Sequence, residues 1–273
     1  MKNVLIAFMA GILLASCEMV SQKNVDLPPA VERLVMIGLA TNQGIGVYVS
    51  RTVPLPITAS RDELIEAQVQ LVQSETSIAR LHKNSQLYES DTALHFDSSY
   101  QLRVVHPTLG EASAPLEVIP GRIAIQAASL RGEASDGEAS VSFMFSDPPG
   151  PNYYAYQFIP LKDGVPLTDI NPYSFRVVLD DTNFEGKTRT VTDRMLKTFS
   201  LADGTRVFAN GALIYLHHLT ANTYRYHRSL QEYEGYSEDT FANPPPVLSN
   251  VRNGFGYLGV SYVDTVRVEL VDK

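Results

Sequence analysis

The chain has no tryptophan, a single cysteine and fewer basic than acidic residues, 22 against 30. Each shortage removes a class of explanation. One thiol, Cys17, permits no internal disulfide, so in an oxidising compartment the fold must be held by burial and sheet hydrogen bonds instead of covalent staples. A formal net charge of −8 is repelled by phosphate backbones and anionic lipid heads, which argues against a nucleic-acid partner and against electrostatic membrane binding. There is no repeat of fixed period, no low-complexity tract and no long charge run, so solenoid and disordered classes find no support. His-Glu-x-x-His and Gly-x-Ser-x-Gly are missing, and no Gly-Lys-Ser/Thr follows the glycines at 254, 256 and 259.

Long hydrophobic runs are scarce as well. The longest, Val4 to Leu14, falls short of the roughly 20 apolar residues needed to span a bilayer. With Lys2 ahead of it and Leu14-Ala15-Ser16-Cys17 behind, it has the parts of a secretory signal over residues 1–16. Leu-Ala-Ser-Cys resembles the lipobox of bacterial lipoproteins. That implies cleavage before Cys17, a diacylglyceryl group on its sulfur and usually an acyl chain on the new amino terminus. Several chains anchor durably where one would bind only marginally, so membrane lipid is the expected partner of Cys17. Apart from this covalent lipid no cofactor is expected. Residues 17–27 read as a lipidated tether, stiffened where Leu27-Pro28-Pro29 imposes extended geometry.

Beyond the tether the apolar pattern has a period of two, the mark of half-buried strands. Ile65, Ala67, Val69 and Leu71 alternate with Glu66, Gln68 and Gln70, and Tyr100, Leu102 and Val104 alternate with Gln101 and Arg103. Runs at Glu32–Thr41, Gly46–Ser50 and Ile78–His82, separated by turn-forming residues, complete a sandwich-like domain over about 28–120. A second β domain is expected over 121–273, with strands at Ile123–Leu130, Glu138–Ser146, Tyr153–Leu161, Phe175–Leu179, Thr188–Thr192, Ala212–Leu219 and Val266–Leu270. One segment breaks the period. Thr220 caps a helix near 221–236, with Tyr226, Leu230 and Tyr233 on one face. The fold class is therefore all-β: two sandwich-like domains with one short helix in the second.

The C-terminal third carries more distinctive stretches: Val178 to Lys187, Tyr224-Arg225-Tyr226, Asn243-Pro244-Pro245-Pro246 and Ser249-Asn250-Val251-Arg252-Asn253-Gly254-Phe255-Gly256-Tyr257-Leu258-Gly259. In this order they resemble a lipoprotein family of the Bacteroidota known as domain of unknown function 4249. The resemblance implies an outer-membrane lipoprotein, frequently encoded beside a TonB-dependent transporter, whose first domain is immunoglobulin-like. The family has no assigned catalytic residues to carry over. On their own chemistry, Gly254, Gly256 and Gly259 describe a strand that bends sharply, as at a bulge or corner, or is closely approached.

Three sets of side chains remain as candidates. Tyrosine is plentiful, 14 in all, and crowded at Tyr153, Tyr154 and Tyr156. With Phe255 and Tyr257 these rings suit a binding surface, although strand alternation sends Tyr154, Tyr156 and Phe158 to one face and Tyr153 to the other, so one set is core. Asp181, Asn183 and Glu185 followed by Gly186 match the first half of a calcium loop, but position twelve is Thr192, which lacks a carboxylate, and a polar turn explains the segment as well. His217 and His218 are adjacent in a strand and point to opposite faces, with His227 on the helix, so the histidines are read as packed or exposed side chains and no metal is assigned. The chain is expected to be a non-enzymatic accessory or binding lipoprotein of the outer membrane, associated with a TonB-dependent transporter. Which face of that membrane it occupies stays open, since the dense acidic run of a surface-export signal is absent after Cys17. An extracytoplasmic hydrolase of glycans or peptides, with two facing carboxylates, and a structural or adhesive module are the alternatives.

Overall fold

Alternation becomes strand almost wherever it occurs. The computed structural model describes residues 31–52, 67–84, 87–132, 137–168, 175, 177–200, 204–237, 243 and 245–271. Cys17 with its signal and tether, and Ile65, lie outside them. The first half runs β1 (Leu34–Thr41), β2 (Ile45–Arg51), β3 (Gln68–Gln73), β4 (Thr76–Asn84), β5 (Leu87–Ser90), β6 (Tyr100–His106) and β7 (Gly110–Leu116). The second runs β8 (Ile125–Gly132), β9 (Glu138–Ser146), β10 (Tyr153–Lys162), β11 (Val165–Pro166), β12 (Val177–Asp180), β13 (Thr188–Leu196), β14 (Thr198–Ser200), β15 (Arg206–Phe208) and β16 (Gly211–Leu219), then helix α1 (Ala221–Ser237) and β17 (Gly254–Val271). Strands make up 61% of the structure against one short helix, so the fold is all-β and sandwich-like. Among the described residues no helix is long and apolar enough to cross a membrane.

One path of neighbouring strands, β11-β10-β16-β17-β1-β2-β5-β4-β3-β6-β7, runs through both halves, and β8, β9 and β13 attach to it through β17. Two large cores and a small third cluster of Leu39, Ala155, Phe175 and Leu219 form along it. The first gathers Leu34, Met36, Val47 and Val49 against Val69, Leu71, Leu102 and Val104. The second gathers Val141, Phe143 and Phe145 of β9 against Tyr154, Ile214 and Leu216. In β9 the alternation is complete: Ala139, Val141, Phe143 and Phe145 are buried, and the serines between them are not. The cores meet near residue 120, but Leu258 and Val260 of β17 belong to the first and Val268 to the second. Residues Glu32–Lys273 accordingly form one compact unit.

The glycine-rich stretch is the start of β17, a strand of 18 residues, where the sequence pattern suggested only a short strand at Val266–Leu270 and a bend before it. It pairs parallel to β1 from Gly254 to Ser261, antiparallel to β16 from Ser261 to Glu269, and parallel to β8 at its end. Before β16 begins, its second edge is finished by side chains and loop. Leu258 N–H donates to Asn250 Oδ1 at 2.9 Å, Asn250 Nδ2 donates to Leu258 O at 2.9 Å, and Asn250 N–H reaches Gly256 O at 3.3 Å. Next, Val260 N–H donates to Thr223 Oγ1 at 2.9 Å, while Val260 O accepts from Thr220 N–H at 3.2 Å. At the other edge Asn42 does the same beyond β1, accepting from Val263 N–H at 2.7 Å and donating to Val263 O at 3.1 Å. Buried backbone groups need such partners, and here side chains stand in for a missing strand.

These bonds also set the helix. Thr220 Oγ1 accepts the Thr223 N–H at 3.2 Å as an N-cap and donates to Glu117, whose other carboxylate oxygen accepts from Asn222 Nδ2 at 2.7 Å. Glu117 thus brings negative charge to a helix start that has none of its own. Thr223→Val keeps the shape of a fully buried residue and removes its hydroxyl, which strands Val260 N–H. The expected loss is about 1–3 kcal/mol in urea unfolding, with Thr223→Ser close to the parent.

Candidate functional site

Period two divides the central sheet into two faces with different uses. On β16, Ile214 and Leu216 point into the second core, while Leu213, Tyr215 and His217 point to the other side. Register places Gln157 and Ile159 of β10 opposite Tyr215 and Leu213, and Val263 and Thr265 of β17 opposite His217 and Tyr215. Helix α1 covers one end of this second face, with Thr223 over Gly259 and Tyr226 stacked on Tyr257 at 4.4 Å. The rest forms a cleft of about 530 Å³ at the junction of the halves. One wall is β1, the Thr41–Ile45 turn and Glu89 to Asp91; the other is β10, β16 and residues 166 and 168. Clefts of a few hundred Å³ at such junctions are common ligand sites.

His217 is the most constrained group there. It is 3% exposed, and its Nδ1 lies 3.0 Å from the Ser261 hydroxyl. Phe175 sits between the His217 and His227 rings, 4.7 Å from each. Burial, reinforced by His227, pulls His217 down to about 3, and burial alone takes His227 to about 4, so both are neutral imidazoles at ordinary pH. Two buried side-chain polar atoms among the described residues lack a hydrogen-bond partner: His217 Nε2 and Thr265 Oγ1. Both residues lie on this face of adjacent strands.

Charge at the cleft is of one sign. Glu89 and Asp91 line it, and among the described lining residues there is no lysine or arginine. Both acids come from the same wall, whereas the opposite wall offers Gln157, Thr168, Tyr215 and His217. Ser261, next to His217, is fully buried. The pair therefore has neither the accessible nucleophile nor the orienting carboxylate of a hydrolytic triad.

The tyrosines suggested as a surface do not form one. Tyr154 is fully buried in the second core and Tyr257 is 4% exposed, so neither ring is available, a correction that follows from their facing packed layers. Tyr156 is half-buried on the same core face and donates to Asp193 Oδ2 at 3.2 Å, with burial and Asp193 pushing it up to about 12. Tyr153 points the other way and stacks on Tyr224 at 4.7 Å, and Tyr224 donates to Asp180 at 3.0 Å. Phe255 alone is well exposed, 48%, beneath the Arg33 guanidinium. On α1 the supposed apolar face is buried only at Tyr226; Tyr233 is 42% exposed.

The acidic loop is likewise turned inward. Asp181 is buried and accepts from Asn152 N–H at 2.7 Å, whereas Asn183 and Glu185 are exposed, so the three do not converge. Among the described residues no group of three His, Cys, Asp or Glu side chains is placed to hold a metal. Gly186 donates to Asp147 Oδ2 at 2.6 Å, and Tyr154 donates to Asp147 Oδ1. Asn152 Nδ2 reaches Pro148 O and Gly150 O at 2.8 and 2.6 Å, which leaves its Oδ1 to meet His218 Nε2 at 3.1 Å. His218 Nδ1 lies 2.7 Å from Gly121 O, tying the connection between the halves to this network. Tyr154→Phe should cost about 1–3 kcal/mol in urea unfolding, since the buried Asp147 loses its phenol donor. A change under about 0.5 kcal/mol would show that this hydrogen bond contributes nothing.

Fold and cleft together define a two-core β-sandwich-type protein with a junctional cleft, acidic on one side. A family model described as Domain of unknown function (DUF4249) matches residues 21–267, and the chain belongs to that family. No curated protein matches it.

Proposed function

We propose that this chain is an outer-membrane-anchored lipoprotein that acts without catalysis, as an accessory or binding component of a TonB-dependent transporter. The observation that carries the reading is the apolar lead ending in Leu14-Ala15-Ser16-Cys17, joined to a chain with no other cysteine. Thioether-linked lipid would leave the folded body tethered by residues 17–27, free to touch a membrane neighbour. The Bacteroidota envelope and the transporter partner come from the family resemblance. Binding is favoured over glycoside hydrolysis because both cleft acids lie on one wall, while a glycosidase sets its two carboxyl groups on either side of the scissile bond.

Growth with an alkynyl fatty acid should label the wild-type chain and leave Cys17→Ser unlabelled and in the soluble fraction. Native-membrane pull-down of the labelled chain should recover a TonB-dependent transporter. An unlabelled wild type removes the anchor, and a labelled chain recovered without any transporter removes the partner.

A further inference from the structure

We propose that the cleft between the two halves binds a short peptide carrying a free amine and an aliphatic body. The proposal is separate from the anchoring reading, because it concerns the folded body in whichever fraction the cell keeps it.

Charge gives the first argument. Glu89 and Asp91 stand at one wall, and no basic side chain among the described lining residues offsets them. An anionic ligand would be repelled, whereas an ammonium group would gain two partners without displacing an internal ion pair. The second argument is the apolar interior. Leu39, Ile45, Ile159, Leu213 and Val263 give the cleft aliphatic walls contributed by both halves. They suit a leucine-like side chain better than a sugar ring, which is usually held on an open aromatic face; among the described lining residues Tyr215 is the one aromatic besides His217.

The third argument is hydrogen bonding. Thr41, Gln43 and Ser90 on one wall and Thr168 and Tyr215 on the other bring neutral polar side chains to the cleft, which suits the donors and acceptors of a peptide's amide groups. Finally, about 530 Å³ lies within the range of small-ligand pockets and exceeds what a simple amine would fill.

The test uses the mature chain as the cell produces it, held in zwitterionic nanodiscs if acylated, and titrated calorimetrically with leucyl-lysine amide, leucyl-glutamate and maltose. Leucyl-lysine amide should bind, weaken as salt rises, and shift the His217 ring nitrogen signals at saturation. The pair change Glu89→Gln with Asp91→Asn, at a half-buried and an exposed carboxylate, should weaken it about fivefold to tenfold and flatten its salt dependence. Preference for leucyl-glutamate or maltose would overturn the proposal. So would binding of none of the three, or an affinity unchanged in the double variant with a His217 signal that does not move.

Discussion

Gly256→Ala is expected to lower the unfolding free energy by about 3 kcal/mol or more. Two costs coincide at this position. Gly256 has φ of +104°, a conformation L side chains avoid at about 1–2 kcal/mol. A Cβ there would lie 2.1 Å from Met36 O, and that carbonyl belongs to β1, bound in the parallel register Met36↔Gly256 beside a fully buried side chain. Backbone on both strands would have to part, undoing the only direct pairing of the last strand with the first. Gly150→Ala isolates the first cost: its φ is +95°, but nothing lies within 4 Å of the added methyl. The urea midpoint of Gly256→Ala should therefore be displaced from the parent about twice as far as that of Gly150→Ala, or more. Equal displacements would mean that the close approach of β1 to β17 is not what Gly256 serves.

That pairing explains which parts of the fold are legible in the residues. Glu138–Ser146 reads as a strand because one face meets a core and the other meets serine-bearing surface, so alternation survives intact. Thr220 reads as a cap because its bond to Thr223 is local. By contrast β7 is Gly-Glu-Ala-Ser-Ala-Pro-Leu, and Ala112, Ser113 and Ala114 are all buried in succession, which erases the period-two signal. The first half of β17 hides for another reason. Its partners are a strand more than 200 residues earlier and the side chains of Asn250 and Thr223, and none of these leaves a mark in the hydrophobic pattern. Its glycines announce close approach, but only the pairing reveals that the approaching group is β1 and helix α1 instead of a ligand.

The site was less legible than the fold, and the histidines show why. Strand alternation alone puts His217 and His218 on opposite faces, as they are. What each face meets depends on segments brought from positions 41–45, 89–91, 157–168 and 263, and no local spacing encodes that convergence. Tyrosine crowding pointed instead at residues whose rings fill layers between sheets. A polar residue that is buried but lacks a partner has no sequence signature at all; His217 Nε2 becomes conspicuous only once every neighbour is placed.

His217 and His227 make stability depend on pH in a window that opens well above the ordinary carboxylate range. Buried neutral imidazoles whose folded values sit near 3 and 4 bind fewer protons than the unfolded chain, whose histidines titrate near 6.5. Their contribution is therefore complete above about pH 6.5 and is lost as pH falls toward the folded values. At about 1.4 kcal/mol per unit, each imidazole gives up about 3 kcal/mol by pH 4, comparable together with the whole stability of a typical domain. His218 is lowered too, by burial, against the opposing pull of the Gly121 carbonyl, Asp147 and Asp181, and so adds in the same direction. Urea unfolding between pH 6.5 and 5 should show a slope that steepens from about 1 to nearly 3 kcal/mol per pH unit, as the protons taken up on unfolding rise from about one toward two. His217→Asn, which keeps a polar group toward Ser261, combined with His227→Phe should remove most of that slope while leaving the midpoint at pH 8 less affected than at pH 5. A parent curve flat across this interval would mean that the Phe175 region opens to water and the two rings are not held dry.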